Sequence, residues 1–524
     1  MLFFAGLDIT TQNCRLIVID FGTKKTVFFE SVNYDSDLPQ YNTENGTRKD
    51  AGLGVSESDP NMWVEAIHIL FDRLREKLAA SVWYIKMLSV SGQQHGLVTI
   101  TKDGDLSRPY SKLWNDISTK NECEILTEKV GGVKAMIGEI ANIQRTGYTA
   151  SKILHMKLHE PDLYAKTHTV FLVHNYINWI LTGGKDGGVA VMELGDLSGT
   201  ALWNPVTKEW SEKIIAIISP GLYDKLPPVK DSRDPIGKIG KEFIIEYGFP
   251  DDCMVASGSG DNMMDALGTC NYKEDVVTIS LGPSGTAYSF MKTPYVDPDG
   301  EIANFCDATG NYLALLYISN LANGYEAILK QYKMSHDKFE RIIGETKPGN
   351  GGRILVPWYE GEKTPDLPEA APIYFGFSLN DFTREKLCRA VLEGHVMNLY
   401  EGFSKLPVKP IEIRLTGEIS KYKVWRETIA NVFNCEVVSV LGEGAVLGAA
   451  LHAAWSFFEN KDIKEIVDPF IIFDEKSRVK PDPSVVEIYS EFKNLYLSVS
   501  KNIRGLKGDN PFILFKNFVR KYSV

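Results

Sequence analysis

Two stretches of this chain, about half its length apart, carry the same pattern. Leu7 to Ile19 (LDITTQNCRLIVI) and Ile279 to Met291 (ISLGPSGTAYSFM) each set a tight, hydroxyl-rich turn between two β-rich apolar runs. A strand–turn–strand unit repeated at this distance predicts two halves built on a common plan, divided near residue 270. The 524 residues, at about 150 per domain, leave room for two to four domains. Between the repeats, helical and strand patterns alternate, which predicts an α/β architecture.

The local patterns are clearest near the N-terminus. Phe3 to Ile9, Arg15 to Asp20 and Lys25 to Phe29 read as three strands of an antiparallel meander. Trp63, Ala66, Ile67, Leu70 and Leu74 recur at helical spacing, predicting an amphipathic helix from Pro60 to about Leu78. Trp83 to Val90 is a candidate buried strand, and a second meander begins near Val276. Tyr34 to Ser58 and Lys347 to Pro372 are the most loop-like stretches. The tail from about Pro481 to Val524 suggests a closing helix.

Charge and composition exclude several classes. Lys and Arg total 57 against 68 Asp and Glu, a formal charge of −11. An acidic chain without basic runs lacks the clustered cations that nucleic-acid phosphates require. No run of about 18 apolar residues is present, so neither a transmembrane helix nor membrane association is expected. The N-terminus has no basic region or cleavage-type small residues, so no signal peptide is expected. The seven cysteines form no CxxC pair, a pattern of free thiols in a reducing compartment, and a cytoplasmic protein is the default.

No GxxxxGK[ST], complete GxGxxG, GxSxG or HExxH occurs, so any phosphate chemistry needs another scaffold. Asp8 closes an apolar strand at the turn Thr10-Thr11-Gln12. Such a turn offers backbone N–H groups to a phosphate, and its carboxylate can hold a hydrated Mg²⁺; an ordinary hairpin with Asp8 as turn-former is the alternative. Ser257-Gly258-Ser259-Gly260-Asp261-Asn262 runs from a strand into a helix. Asp261 reads either as a plain helix cap or as a carboxylate that orients a substrate hydroxyl and accepts its proton. Gln93-Gln94-His95-Gly96, followed by Leu113-Trp114-Asn115-Asp116, suits recognition of a polyol. His155 and His159, four apart on a predicted helix, have the spacing to pinch a metal, against the plainer reading of an exposed helix face before Glu160-Pro161.

Taken in order, these segments resemble the FGGY carbohydrate kinases of the actin-like ATPase superfamily. The resemblance adds Gly361-Glu362-Lys363-Thr364-Pro365, Arg389-Ala390-Val391-Leu392-Glu393-Gly394 and Gly444-Ala445-Val446-Leu447-Gly448-Ala449-Ala450, and covers roughly residues 5–455. Within the family, Gln94-His95-Gly96 is similar to the sugar loop of xylulose kinases, as are Asp35-Ser36-Asp37-Leu38-Pro39 and Gly195-Asp196-Leu197-Ser198-Gly199. Glycerol kinases present an arginine–glutamate pair in the corresponding loop. The resemblance implies two actin-like, ribonuclease H-like ATPase domains flanking an interdomain cleft. Residues 1–270 would bind the sugar and carry the first phosphate turn, and 271–524 would bind the nucleotide. It implies transfer of the ATP γ-phosphoryl group, with Mg²⁺, to a ketopentose, D-xylulose, giving D-xylulose 5-phosphate. Asp261 would be the general base, and Gln94, His95, Arg145 and Asn262 would bind sugar. Asp8 would hold the metal, and Thr10, Thr11, Gln12, Gly282, Ser284, Gly417 and Gly444 would meet the nucleotide. A homodimer is often formed by related kinases, though no feature of this sequence demands one.

Three positions depart from the family pattern, all on the nucleotide side. Thr10 replaces a glycine, Pro283 replaces a threonine, and Gly417-Glu418 stands where Gly-Gly is usual. Pro283 removes a donor, and Glu418 adds a carboxylate that would repel a nucleotide if it pointed inward. A kinase for another sugar such as ribulose, a catalytically weak sugar sensor of the same fold, and an actin-like ATPase such as a chaperone stay open as alternatives.

Overall fold

In the computed structural model, which describes residues 1–522, the apolar run at the N-terminus forms β1 (Phe3–Ile9). It continues into β2 (Asn13–Asp20) and β3 (Lys25–Asn33), the expected antiparallel meander. Three more strands extend this sheet, β4 (Ile85–Gly92), β5 (Pro235–Lys238) and β6 (Met254–Ala256), in the order β5-β6-β4-β1-β2-β3, and the two residues Ser259–Gly260 pair with β4 as well. The strand expected at Trp83–Val90 starts two residues later, because Trp83 and Tyr84 lie in a 3₁₀ turn that leads into β4.

A second sheet repeats the plan. Six of its seven strands are β7 (Val276–Leu281), β8 (Gly285–Met291), β9 (Tyr312–Ile318), β10 (Glu412–Thr416), β11 (Glu436–Leu441) and β12 (Ile472–Val479), in the order β9-β8-β7-β10-β11-β12. In both sheets the first strand pairs antiparallel with the second and parallel with the fourth in order of appearance (β1 with β2 and β4, β7 with β8 and β10). Each then extends by a parallel strand and an antiparallel edge strand. The registers correspond as well: Asp8 pairs with Ser91, and Ser280 pairs with Thr416. The repeat read from the two turns is therefore a repeat of six strands in each sheet.

By contacts, the chain forms two compact units. The first comprises 1–272, 290–313 and 442–471, and the second 273–289, 314–441 and 472–524. In the first unit, α1 (Pro60–Leu78) is capped by Asp59, whose side chain accepts from the Asn61 N–H at 2.9 Å, and starts on Pro60. Its buried face, Met62, Trp63, Ala66, Ile67, Leu70, Phe71 and Leu74, packs on β2 and β3. α2 (Lys120–Val130) and α3 (Thr149–His159) pack together beyond the sheet. α4 (Asp261–Gly268) and α5 (Ala445–Phe457) pack on each other, and α5 lies across β1 and β4.

That crossing works because small residues line it. A Cβ on Gly6 of β1 would fall 2.3 Å from the Val446 carbonyl oxygen. A Cβ on Gly448 of α5 would fall 1.8 Å from the Met264 carbonyl oxygen, and one on Gly268 of α4 would fall 2.0 Å from that of Gly444. The obstacle is backbone in every case, so no rotamer change relieves it. His452 of α5 locks the same contact to β4: its Nε2 lies 2.8 Å from the Ser232 carbonyl and its Nδ1 2.9 Å from the Ser89 hydroxyl. Burial holds this imidazole at about 4.

In the second unit, Pro283 sits in the turn between β7 and β8, and its carbonyl accepts from the N–H groups of Leu321, Ala322 and Asn323 at 3.0–3.2 Å. The tail forms two helices, Pro483–Ile503 and Pro511–Tyr522, where a single closing helix was expected. Pro511 restarts the chain after a Gly-containing loop at 505–510. Ser523 and Val524 lie outside the described residues.

Two outcomes are expected. Gly448→Ala, measured by urea unfolding, loses about 3 kcal/mol through overpacking. Gly138→Ala, where a Cβ meets nothing within 4 Å, shows no loss. The second concerns pH. His452 is neutral when folded and takes up a proton near 6.5 when unfolded, so its contribution is complete above about pH 6.5 and is lost as pH falls toward 4. Between pH 7 and 5 this removes about 2 kcal/mol, and His452→Gln flattens the slope by that amount.

Candidate active site

The first unit brings its candidate residues to the carboxyl end of β4. Asp8 on β1 and Ser259, in a short bridge just before α4, both pair with Ser91, from opposite sides of that strand. Two inter-strand spacings separate their backbones, about 10 Å. Asp261 begins α4 two residues further on, as its first residue rather than its cap, which is Gly260. Asp8 is buried and accepts from the Ser91 hydroxyl at 2.7 Å. Burial raises its carboxyl above the ordinary range. Burial, and then the charges of Asp8 and Asp196, push Asp261 up to about 8. The two carboxylates from distant stretches of chain thus share one electrostatic environment.

The Gln94-His95 loop reaches Asp261 through Asn262. Gln94 Oε1 accepts from Asn262 Nδ2 at 2.7 Å, and Asn262 also donates to Asp261 Oδ1, from its backbone at 2.8 Å and its side chain at 3.1 Å. The Gln94 Nε2 is buried with no partner among the described residues, a donor without an acceptor. His95 is buried, its N–H donates to Asp196 Oδ1 at 3.1 Å, and its Nδ1 lies 3.1 Å from the same oxygen. Burial pushes His95 below its ordinary value. Burial would raise Asp196, yet hydrogen bonds from His174 and His95 hold it at about 2. Thr149 and Lys152, in the first turns of α3, both donate to the His95 carbonyl.

Asp196 was not among the residues singled out for the site. The signal was there in Gly195-Asp196-Leu197-Ser198-Gly199: a Cβ on Gly199 would fall 1.9 Å from His95 Cε1, so this segment lies against the imidazole. Arg145 is held by the carbonyls of Gly300 and Glu301 at 2.6 and 3.1 Å. It borders Tyr148, whose ring meets that of His95 edge-on at 4.7 Å.

At the first turn, Thr10 closes the hairpin on itself. Its N–H and hydroxyl donate to the Asn13 carbonyl, both at 2.9 Å, and its Oγ1 accepts from the Asn13 N–H at 3.0 Å. The N–H groups of Thr11 and Gln12 at the tip have no partner among the described residues. Thr11 Oγ1 donates to Gln93 Oε1 at 3.1 Å and accepts from Trp114 Nε1 at 3.0 Å. A polar cavity of about 500 Å³ opens beside it, lined by Thr11, Gln12, Asn45, Arg48, Trp114 and Asn115 among others. Asp116 faces away, buried under Ser56, Lys112 and Ser118. Gly444 lies by α4, where a Cβ would fall 2.5 Å from Asp265 Oδ1.

Within the second unit, Gly417 follows β10 at φ +83°, and a Cβ there would fall 2.4 Å from the Leu281 carbonyl oxygen, which places it beside Gly282. Ser284 hydrogen-bonds to the Tyr317 hydroxyl. Glu418 is 80% exposed and pairs with Lys421 at 2.8 Å, so its charge is turned to solvent and partly neutralised.

Family models match nearly the whole of this arrangement: the N-terminal domain of the FGGY family of carbohydrate kinases at residues 3–268, and its C-terminal domain at 284–457. The chain belongs to the FGGY family of carbohydrate kinases. Among its relatives, a xylulose kinase of Haemophilus influenzae is 33% identical over 94% of this chain and 99% of its own. One of Streptomyces coelicolor is 29% identical over 86% of this chain and 87% of its own. A solved xylulose kinase from Lactobacillus acidophilus shares the fold at TM-score 0.86 and 21% identity, covering 96% of this chain and 99% of that one. A Plasmodium falciparum glycerol kinase solved with ADP superposes at TM-score 0.79 and 16% identity, over 95% and 98% of the two chains. The two-domain actin-like α/β fold expected from the sequence is thus the fold of this FGGY kinase.

If the 195–199 segment sets the His95 ring, Gly199→Ala displaces it. The expected result is a folded kinase whose thermal stabilisation by sugar is lost, read by differential scanning fluorimetry.

Proposed function

We propose that this carbohydrate kinase transfers the γ-phosphoryl group of ATP to a hydroxyl of D-xylulose, giving D-xylulose 5-phosphate. The observation that carries the reading is the placement of Asp8 and Asp261 at one strand end, with Gln94, His95 and Asn262 linked around them. The choice of ketose rests on the relatives that bear the name xylulose kinase. On this reading residues 1–270 hold the sugar, and 271–524 supply the nucleotide contacts Gly282, Ser284 and Gly417.

The donor set suits a magnesium nucleotide. The charge of Asp8 raises the affinity of Asp261 for a proton, and a hydrated divalent cation beside Asp8 would offset that charge. The free N–H groups of Thr11 and Gln12 suit phosphate oxygens. When bound, Mg-ATP supplies the phosphoryl group and part of the neutralising charge. Asp261 accepts the proton of the attacking hydroxyl in its ionised form, which a cation beside Asp8 would favour over the protonated carboxyl that burial and Asp8, pushing it up to about 8, otherwise favour. Gln94 Nε2 and Asn262 grip neighbouring hydroxyls, and neutral His95, fixed by Asp196, orients the sugar. Arg145 supports this wall through Tyr148. The seven cysteines are all free and buried, which suits a reducing compartment, the cytoplasm.

The test is ADP release with Mg-ATP and a panel of ketoses and polyols. D-xylulose is expected to give the highest kcat/KM. Asp261→Asn is expected to lower kcat by about 10²–10⁴-fold while KM for the ketose changes little. A variant that keeps its turnover, or ADP release indifferent to sugar, removes the proposal; sugar-induced stabilisation without ADP release replaces it with a sensor.

A further inference from the structure

Away from Asp8 and Asp261, α2 and α3 bring three metal-type ligands to one point. Glu122, in the first turn of α2, is 1% exposed. Its Oε1 lies 3.2 Å from His155 Nδ1 and 2.9 Å from His159 Nε2. The two histidines are one helical turn apart on α3 and present their rings on one face, with centroids 4.5 Å apart. One ligand atom from each of the three residues lies within 4.8 Å of the others. Bonds of about 2.0–2.1 Å at tetrahedral angles place ligand atoms roughly 3.3 Å apart, close to the carboxylate–imidazole separations found here.

Hydrogen bonding alone leaves this cluster incomplete. Both imidazoles crowd one carboxylate oxygen, while the other, Glu122 Oε2, is buried with no partner among the described residues. A buried carboxylate oxygen left unpaired is unfavourable. The nearby cations are engaged elsewhere: Lys112 with Asp116 and Ser118, and Arg108 with Glu57 and Glu160. His159 has a side chain 54% exposed, which gives an ion a way in.

We propose that Glu122, His155 and His159 form a binding site for a divalent transition metal of the zinc class, with solvent completing its shell, fastening α2 to α3. Two imidazoles and a carboxylate select that class, whereas Mg²⁺ prefers oxygen ligands, so the site is chemically distinct from the one at Asp8. Its consequence reaches the sugar loop, because the first turns of α3 carry Thr149 and Lys152, the two donors to the His95 carbonyl. An ion at the far end of α3 stiffens the support on which His95 rests.

The full-length protein is titrated with Co²⁺ in excess Mg²⁺, following visible d–d absorption, and Zn²⁺ is then used to displace it. One equivalent of Co²⁺ is expected to give a saturable band that Zn²⁺ abolishes. Replacing a direct ligand, in His159→Ala or Glu122→Gln, is expected to weaken binding by about 100-fold or more. His159→Ala, at a half-exposed position, keeps the fold and its activity with Mg-ATP, so it decides the matter even if the buried Glu122 variant is unstable. Asp8→Asn keeps the band. No saturable band, a band unchanged in His159→Ala, or its loss in Asp8→Asn overturns the proposal.

Discussion

Backbone lies against backbone where α5 crosses β1 and meets α4, and the first unit depends on that contact. Gly6, Gly268 and Gly448 face carbonyl oxygens at distances that leave no space for a methyl group. Closing this gap sets where α4 begins, and with it the position of Asp261 relative to Asp8. The helix that closes it, Ala445–Phe457, arrives from more than four hundred residues along the chain. The site in the first unit is therefore complete only when the chain has returned, a contact of large sequence separation that slows folding.

Electrostatics then divides the carboxylates of that unit. Asp196 accepts from the His95 backbone N–H, lies beside the His95 and His174 rings, and keeps its charge. Asp261 has few donors and acidic neighbours, and its carboxyl moves up to about 8. Neighbouring acids pushed apart in this way take different tasks, one holding a ring in place and the other able to exchange a proton.

Much of this was legible in the sequence. The meander, the helix from Pro60 and the repeated turn follow from residue periodicity, which local geometry obeys. The position of Asp261 followed from a strand and glycine turn leading into a helix. What was not legible depends on contacts far apart in the chain. Asp196 takes its place through His95, a hundred and one residues away, and through its charge on Asp261. The packing of 442–471 with the first unit has no local signal, since Gly444 to Ala450 reads simply as a small-residue helix start. The direction of Glu418 depended on a neighbour, Lys421, whose rotamer no pattern reveals.

Six strands of the two sheets correspond in order, yet their turns are not interchangeable. Where β1 carries Asp8 beside Ser91, β7 carries Ser280 beside Thr416. A hydroxyl in place of a carboxylate leaves the second turn electrically neutral at the matching position. On the proposed reading, only the first of these two matching turns carries a carboxylate that could hold a hard cation.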